Sequence, residues 1–155
     1  MGTKTEDSSI MINVRKHRDL VEKIFKKYDL PVDCYEIVAD IDKWCISQEI
    51  PEDNPYRSAK CLCGSEDSAS RIVFREEQTD DMISSSKAAM ECNGFASEVE
   101  KLDSDVKYLE HLVLHEIACH ILRTTEQNPR DEWAFKKMGI LPCKAMDNEK
   151  HYPKA

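Results

Sequence analysis

The sequence predicts an α+β fold that is mostly helical, with a small antiparallel sheet, a β-hairpin or slightly more, packed on one central helix. Three observations lead there. Apolar residues recur every three or four positions over several stretches, which is the spacing of a helix that buries one face. One pair of segments, SAKCLCG and RIVFREE, alternates with period two across the polar turn GSEDSAS and reads as a hairpin. A chain of 155 residues can bury an ordinary core as one domain, and it contains no internal repeat, low-complexity tract or Gly-rich phosphate loop. The expected layout is a polar, mobile N-terminus at 1–9, a single domain at 10–141 and an extended tail at 142–155.

In chain order, Val14, Leu20, Val21, Ile24, Phe25 and Tyr28 predict an amphipathic helix from Ile12 to Tyr28, ended by Pro31. Asp33 and Glu36 form a capping box for a second helix, from about Cys34 to Ser47, with Ile37, Val38, Ile41, Trp44 and Cys45 on its buried face. A strand is the alternative for this piece. SQEIPEDNPYRS, with two prolines, is a loop. In the hairpin, Ala59, Cys61 and Cys63 share one face, and Ile72 and Phe74 share one face of the partner strand. TDDMISSSKAAMECNG is a short helix stopped at Asn93-Gly94. The central helix then begins between Ser97 and Asp105, with Leu102, Val106, Leu109, Val113, Ile117 and Ile121 as its buried stripe. NPRDEWAFKKMG is the last helix, with Asn128 as N-cap, Pro129 at the first helical position and Gly139 as the stop.

The net charge of -8 argues against nucleic acid or an anionic membrane as the main partner, because phosphate binding needs clustered Lys and Arg. RKHRDLVEKIFKK is the one locally basic stretch. No apolar run approaches the roughly 18 residues of a membrane span, and MGTKTEDSS lacks the layout of a signal peptide. Glu6 stands where a myristoylation signal has Ser or Thr. The chain is therefore expected to be soluble and cytoplasmic. Its seven cysteines are then thiols or metal ligands rather than bridges, and Cys61-x-Cys63 reads as core cysteines before ligands, since no second half of a zinc knuckle is nearby.

The stretch with chemistry is His115-Glu116-Ile117-Ala118-Cys119-His120. Two ligands four residues apart on a helix sit one turn above each other, and a Glu beside the first can reach a metal-bound water. His115 and Glu116 fit that pattern, and Cys119 occupies the second ligand position. At about 100° per residue, Cys119 lies about 40° round the helix from His115 and His120 about 140°, so His120 cannot share an ion with His115. Cys119 can, as a thiolate. His111 and His115 have the same spacing, but Leu112 follows the first of them and no base is present. His111 and Cys119 are about 12 Å apart along the axis, too far for one ion. The plain alternative is that these side chains pack, with Cys119 as a small hydrophobe.

LHEIACHIL followed by DEWAF resembles the core of the small zincin-type metallopeptidases, and most of all the ImmA/IrrE group, with Cys119 in place of the second histidine. The resemblance covers about the last third of the chain. It implies N-terminal helices, a small antiparallel sheet, a metal helix and a ligand helix. It also implies zinc held by His115, Cys119 and Glu132, with Glu116 as general base; Asp131, at the third helical position after Asn128, is read from its place alone as a helix-capping residue. The strand Arg71 to Glu76 would border the cleft and pair with an extended peptide. The reaction implied is peptide hydrolysis, with Glu116 taking a proton from zinc-bound water and passing it to the leaving amine. A thiolate ligand leaves zinc a poorer Lewis acid, so activity is expected to be weak or lost. Two other readings stand beside this one: a non-catalytic descendant that binds another protein, with or without metal, and a helical regulatory protein whose histidines pack.

Overall fold

The segment expected as one helix from Ile12 divides in two in the computed structural model, which describes residues 11–50, 57–62 and 71–140. Strand β1 (Ile12–Asn13) pairs antiparallel with β5 (Glu77–Gln78), a 3-10 turn follows at Val14–His17, and only then does helix α1 (Arg18–Lys27) begin. The pairing partner lies more than sixty positions away, so local spacing carries no trace of it. Pairing with β5 satisfies backbone groups at Ile12 and Asn13 that a lone helix end would leave to water.

The second expected helix also splits. Tyr35–Val38 is strand β2, and helix α2 (Ile41–Ser47) follows it. Asp40, not Asp33, caps that helix, its carboxylate accepting from Lys43 N at 3.1 Å. The strand form prevails for the first half because β2 lies parallel to β4 (Arg71–Arg75), with Tyr35 opposite Ile72 and Ile37 opposite Phe74. Tyr35 and Ile37 are buried while Glu36 between them is exposed, which is the alternation of a half-buried strand.

Strands β3 (Ala59–Leu62) and β4 form the expected antiparallel pair, with Ala59 opposite Phe74 and Cys61 opposite Ile72. The sheet order is β2-β4-β3, so the three-stranded sheet is mixed rather than purely antiparallel. One face, with Ile72 and Phe74, joins the main core; on the other, Val73 packs with Ile41, Trp44 and Cys45 of α2.

Helix α3 (Asp80–Met90) is capped by Thr79, whose hydroxyl accepts from Met82 N. It runs into a wide turn at Glu91–Phe95, where Gly94 takes φ 98°, and then into α4 (Ala96–Val99). The positive φ is why the stop falls at the expected Asn93-Gly94. Helix α5 (Asp105–Leu122) starts where expected, with Ser104 Oγ accepting from Lys107 N. Leu109, Val113 and Ile117 are fully buried, whereas Val106 and Ile121 at the two ends of the expected stripe are exposed. Tyr108, His111, Leu112, Leu114, Glu116, Ala118 and Cys119 are buried as well, because α1, β3 and the last helix, α6 (Gln127–Lys137), all pack around this helix. The chain is α+β and mostly helical, organised around α5.

Helix α6 (Gln127–Lys137) begins at Glu126 as N-cap, two residues before the expected Asn128, and ends before Gly139 at φ 82°. The residue at its third helical position is therefore Pro129 and not Asp131. No helix among the described residues is long and apolar enough to cross a membrane. The expected mobile N-terminus at 1–9, the polar turn at 64–70, Cys63 and the tail at 142–155 lie outside the described residues.

Candidate functional site

Four residues connect α5 to α6, and the return of the chain brings two adjacent side chains of α6 onto the polar part of α5. Arg130 is buried and reaches three acceptors: its Nε donates to the backbone oxygen of His115 at 3.1 Å, Nη1 to that of Thr125 at 3.5 Å, and Nη2 to Glu116 Oε1 at 3.1 Å. Asp131, 4% exposed, places Oδ1 2.7 Å from Nδ1 of His115. The same oxygen is 3.6 Å from Nε2 of His111, which is beyond hydrogen-bond length. The His111 ring lies against Phe135, with centroids 4.3 Å apart.

Burial sets the charge states around this cluster. Desolvation drives the His111 imidazole down to about 4, against the opposing pull of the Asp131 carboxylate, so His111 is neutral at ordinary pH. Its Nε2 is buried and lies near Asp131, which opposes the shift both through its charge and through its backbone. One turn earlier, burial raises the Tyr108 phenol, with Asp131 adding to the effect and neighbouring Ser86 opposing it. The Tyr108 hydroxyl is itself enclosed, with Ser86 beside it.

These groups form the floor of a cleft of about 1260 Å³, in which Tyr108, His111, His115, Glu116, Arg130 and Asp131 face the side of α3 and strand β3. The strand beside the cleft is β3 rather than the expected Arg71 to Glu76. That segment, β4, is the central strand and is paired on both edges, whereas no described strand pairs with the outer edge of β3. Ser58 O accepts from Arg75 N, so the alternation of an antiparallel ladder turns the backbone groups of Ala59 and Cys61 toward that outer edge.

Of the residues expected to carry chemistry, His115 and Glu116 line the cleft. Cys119 is fully buried and does not. Glu132 lies on the solvent side of α6, 3.4 Å from Lys136 Nζ, and Asp131 takes the place beside His115 instead. The reason is helical phase: Ala134 and Phe135 are fully buried, and Asp131, three and four residues earlier, shares their face. Glu132 falls with Lys136 in an i,i+4 pair. That signal was present in DEWAFKK, masked by placing the helix start at Asn128. Arg130 and Tyr108 were missed as site residues because each looks ordinary until α6 folds back, whereas His111 was weighed only as an alternative partner for His115 without a base.

The expected ligand set does not fit zinc as arranged. His115 Nδ1 and Asp131 Oδ1 are bonded to each other, Glu116 is bonded to Arg130, and Cys119 and Glu132 point elsewhere. Among the described residues, no three His, Cys, Asp or Glu side chains are arranged to hold a metal ion. None of the described cysteines, Cys34, Cys45, Cys61, Cys92 and Cys119, is in a disulfide. Comparison with protein-family models, with curated proteins and with solved structures finds no match.

Proposed function

We propose that this chain is a zincin-like protein that has kept a peptide-binding cleft and lost the hydrolytic centre, and that it works by holding an extended segment of a partner protein. The observation that carries this reading is the buried Arg130–Glu116 pair at the foot of a cleft bordered by β3. A general base must be able to take a proton from water. Glu116 is instead matched to a guanidinium, and protonating it would strand the Arg130 charge in the interior. His115 engages Asp131 through Nδ1, and the expected companion ligands Cys119 and Glu132 lie outside the cleft lining. β3 borders the cleft, with the backbone of Ala59 turned to the side away from β4, where an extended peptide can lie against it.

The test joins two measurements on the full chain. Capped decapeptides of high β propensity should slow hydrogen exchange at the Ala59 amide, and no peptide should be cleaved with or without added zinc. Ala59→Pro, which removes one outward donor and leaves the ladder to β4 intact, should abolish the protection. Zinc-dependent cleavage that disappears in Glu116→Gln would reverse the conclusion, and so would a failure of every peptide to change exchange on β3.

A further inference from the structure

Two consecutive residues of α6 direct buried polar groups at one histidine of α5. Arg130 Nε donates to the backbone oxygen of His115, and Asp131 Oδ1 stands 2.7 Å from its Nδ1. The residue is held by its backbone and by its ring. A carboxylate only accepts, so Nδ1 is the donor of that short contact, and the neutral form of the ring carries its lone pair on Nε2. Nε2 of His115 makes no hydrogen bond with the described residues and, unlike Nε2 of His111, is not shut off from solvent. His115 lines the cleft, so this lone pair is open to what the cleft holds.

The charge balance of the floor gives the sign of the group that fits there. Arg130 is matched to Glu116 at 3.1 Å, whereas the nitrogens around Asp131 belong to His115 and to His111, which burial keeps neutral at ordinary pH. Among the described residues, Asp131 has no lysine or arginine paired with it. The basic side chains of the strand wall, Arg57, Lys60 and Arg75, each have an interaction of their own, Arg75 Nε donating to Arg57 O at 2.9 Å. A carboxylate entering the cleft at His115 would meet a lone pair backed by negative charge. The chain as a whole carries -8, which draws basic partners in the same sense.

We propose that Nε2 of His115, with Asp131 as its positioning residue, accepts a hydrogen bond from a lysine or arginine side chain of the extended segment bound along β3. This rests on the peptide-binding reading above and names the side chain that the cleft selects. An ammonium or guanidinium only donates, which suits an acceptor fixed by its tautomer. A hydroxyl would make the bond without answering the charge behind it, and an aliphatic group would do neither.

The experiment titrates acetyl-Val-Thr-Lys-Thr-Val-amide, and the same peptide with norleucine or Glu at the centre, into the full chain. Hydrogen exchange at the Ala59 amide reports binding along β3, and the nitrogen NMR signals of the His115 ring report contact at Nε2. The Lys peptide should bind about tenfold more tightly than the norleucine peptide, as a hydrogen bond to a charged group allows, and the Glu peptide should bind least. Only the Lys peptide should shift the Nε2 signal. Asp131→Asn, nearly the same in shape, should remove most of the Lys preference, and so should His115→Phe, which keeps a ring without the acceptor. Asp103→Asn takes an equal charge from an exposed position just before α5, paired with Lys107, and should leave the preference as it is. Equal binding of the Lys and norleucine peptides, with Ala59 protected by both, overturns the subsite and leaves the peptide-binding reading standing. An Nε2 signal that the bound Lys peptide does not move overturns it as well, and so does a Lys preference that survives in both Asp131→Asn and His115→Phe. No protection of Ala59 by any peptide overturns both.

Discussion

At the scale of single residues, Arg130 joins the end of α5 to the turn and to Glu116 through three hydrogen bonds. Removing it leaves a carboxylate in the interior with no partner. Arg130→Met is therefore expected to cost about 3–5 kcal/mol, the usual penalty for breaking a buried ion pair from one side. The double variant Arg130→Met with Glu116→Gln should recover part of that loss, by more than about 1 kcal/mol, because the stranded charge is gone. Urea unfolding of the two single variants and the double closes the cycle; strictly additive costs would show that the pair is not coupled. His111 sets a pH dependence. Its folded value of about 4 lies below the ordinary 6.5, so between those limits the unfolded chain binds more protons than the folded one. Stability is then fully present above about 6.5, declines as pH falls through that window and has lost the whole contribution below about 4. The groups that face it are Asp131, which opposes the shift, and His115, which adds to it. Unfolding midpoints of His111→Phe across pH 4–7 should be flatter than those of the parent; parallel curves would assign the dependence elsewhere.

At the scale of elements, the end of α5 holds an avoidable cost. Arg123 closes the helix at φ 57° and ψ 44°, the left-handed conformation that a Cβ disfavours. Arg123→Gly should raise stability by up to about 1 kcal/mol, read from the urea midpoint, provided the turn to α6 is kept. The elements also show where sequence patterns mislead. Ile37, Val38, Ile41, Trp44 and Cys45 satisfy a helical spacing, yet Tyr35–Val38 is a strand, since pairing with β4 outweighs a weak local preference. The last helix was placed correctly in kind but two residues late in its start, and that shift exchanged the roles of Asp131 and Glu132. A helix face rotates by about 100° per residue, so choosing the wrong one of two adjacent acids turns the functional side chain out to solvent.

For the whole molecule, the peptide-binding reading carries a clear expectation about metal. A chelator should leave the melting temperature of the protein unchanged, and added zinc should not raise it, since any ligand that binds the folded state must stabilise it. A rise of several degrees with zinc, abolished in His111→Ala or His115→Ala, would mean that the histidines and Asp131 rearrange around an ion. The sequence by itself determined the mostly helical α+β class, the β3–β4 hairpin, the start of the central helix and the placement of His115 and Glu116 on it. Those features rest on interactions within a few residues or on a single turn. The tertiary structure alone decided that β2 is a strand parallel to β4, that β3 rather than β4 borders the cleft, and that Arg130 and Asp131 meet Glu116 and His115. Each of these depends on which segment comes to lie against which, and on the burial that then sets the charge of His111 and raises the Tyr108 phenol. A pattern of spacings describes one element at a time, while the partners of a buried polar group are chosen by the packing of several.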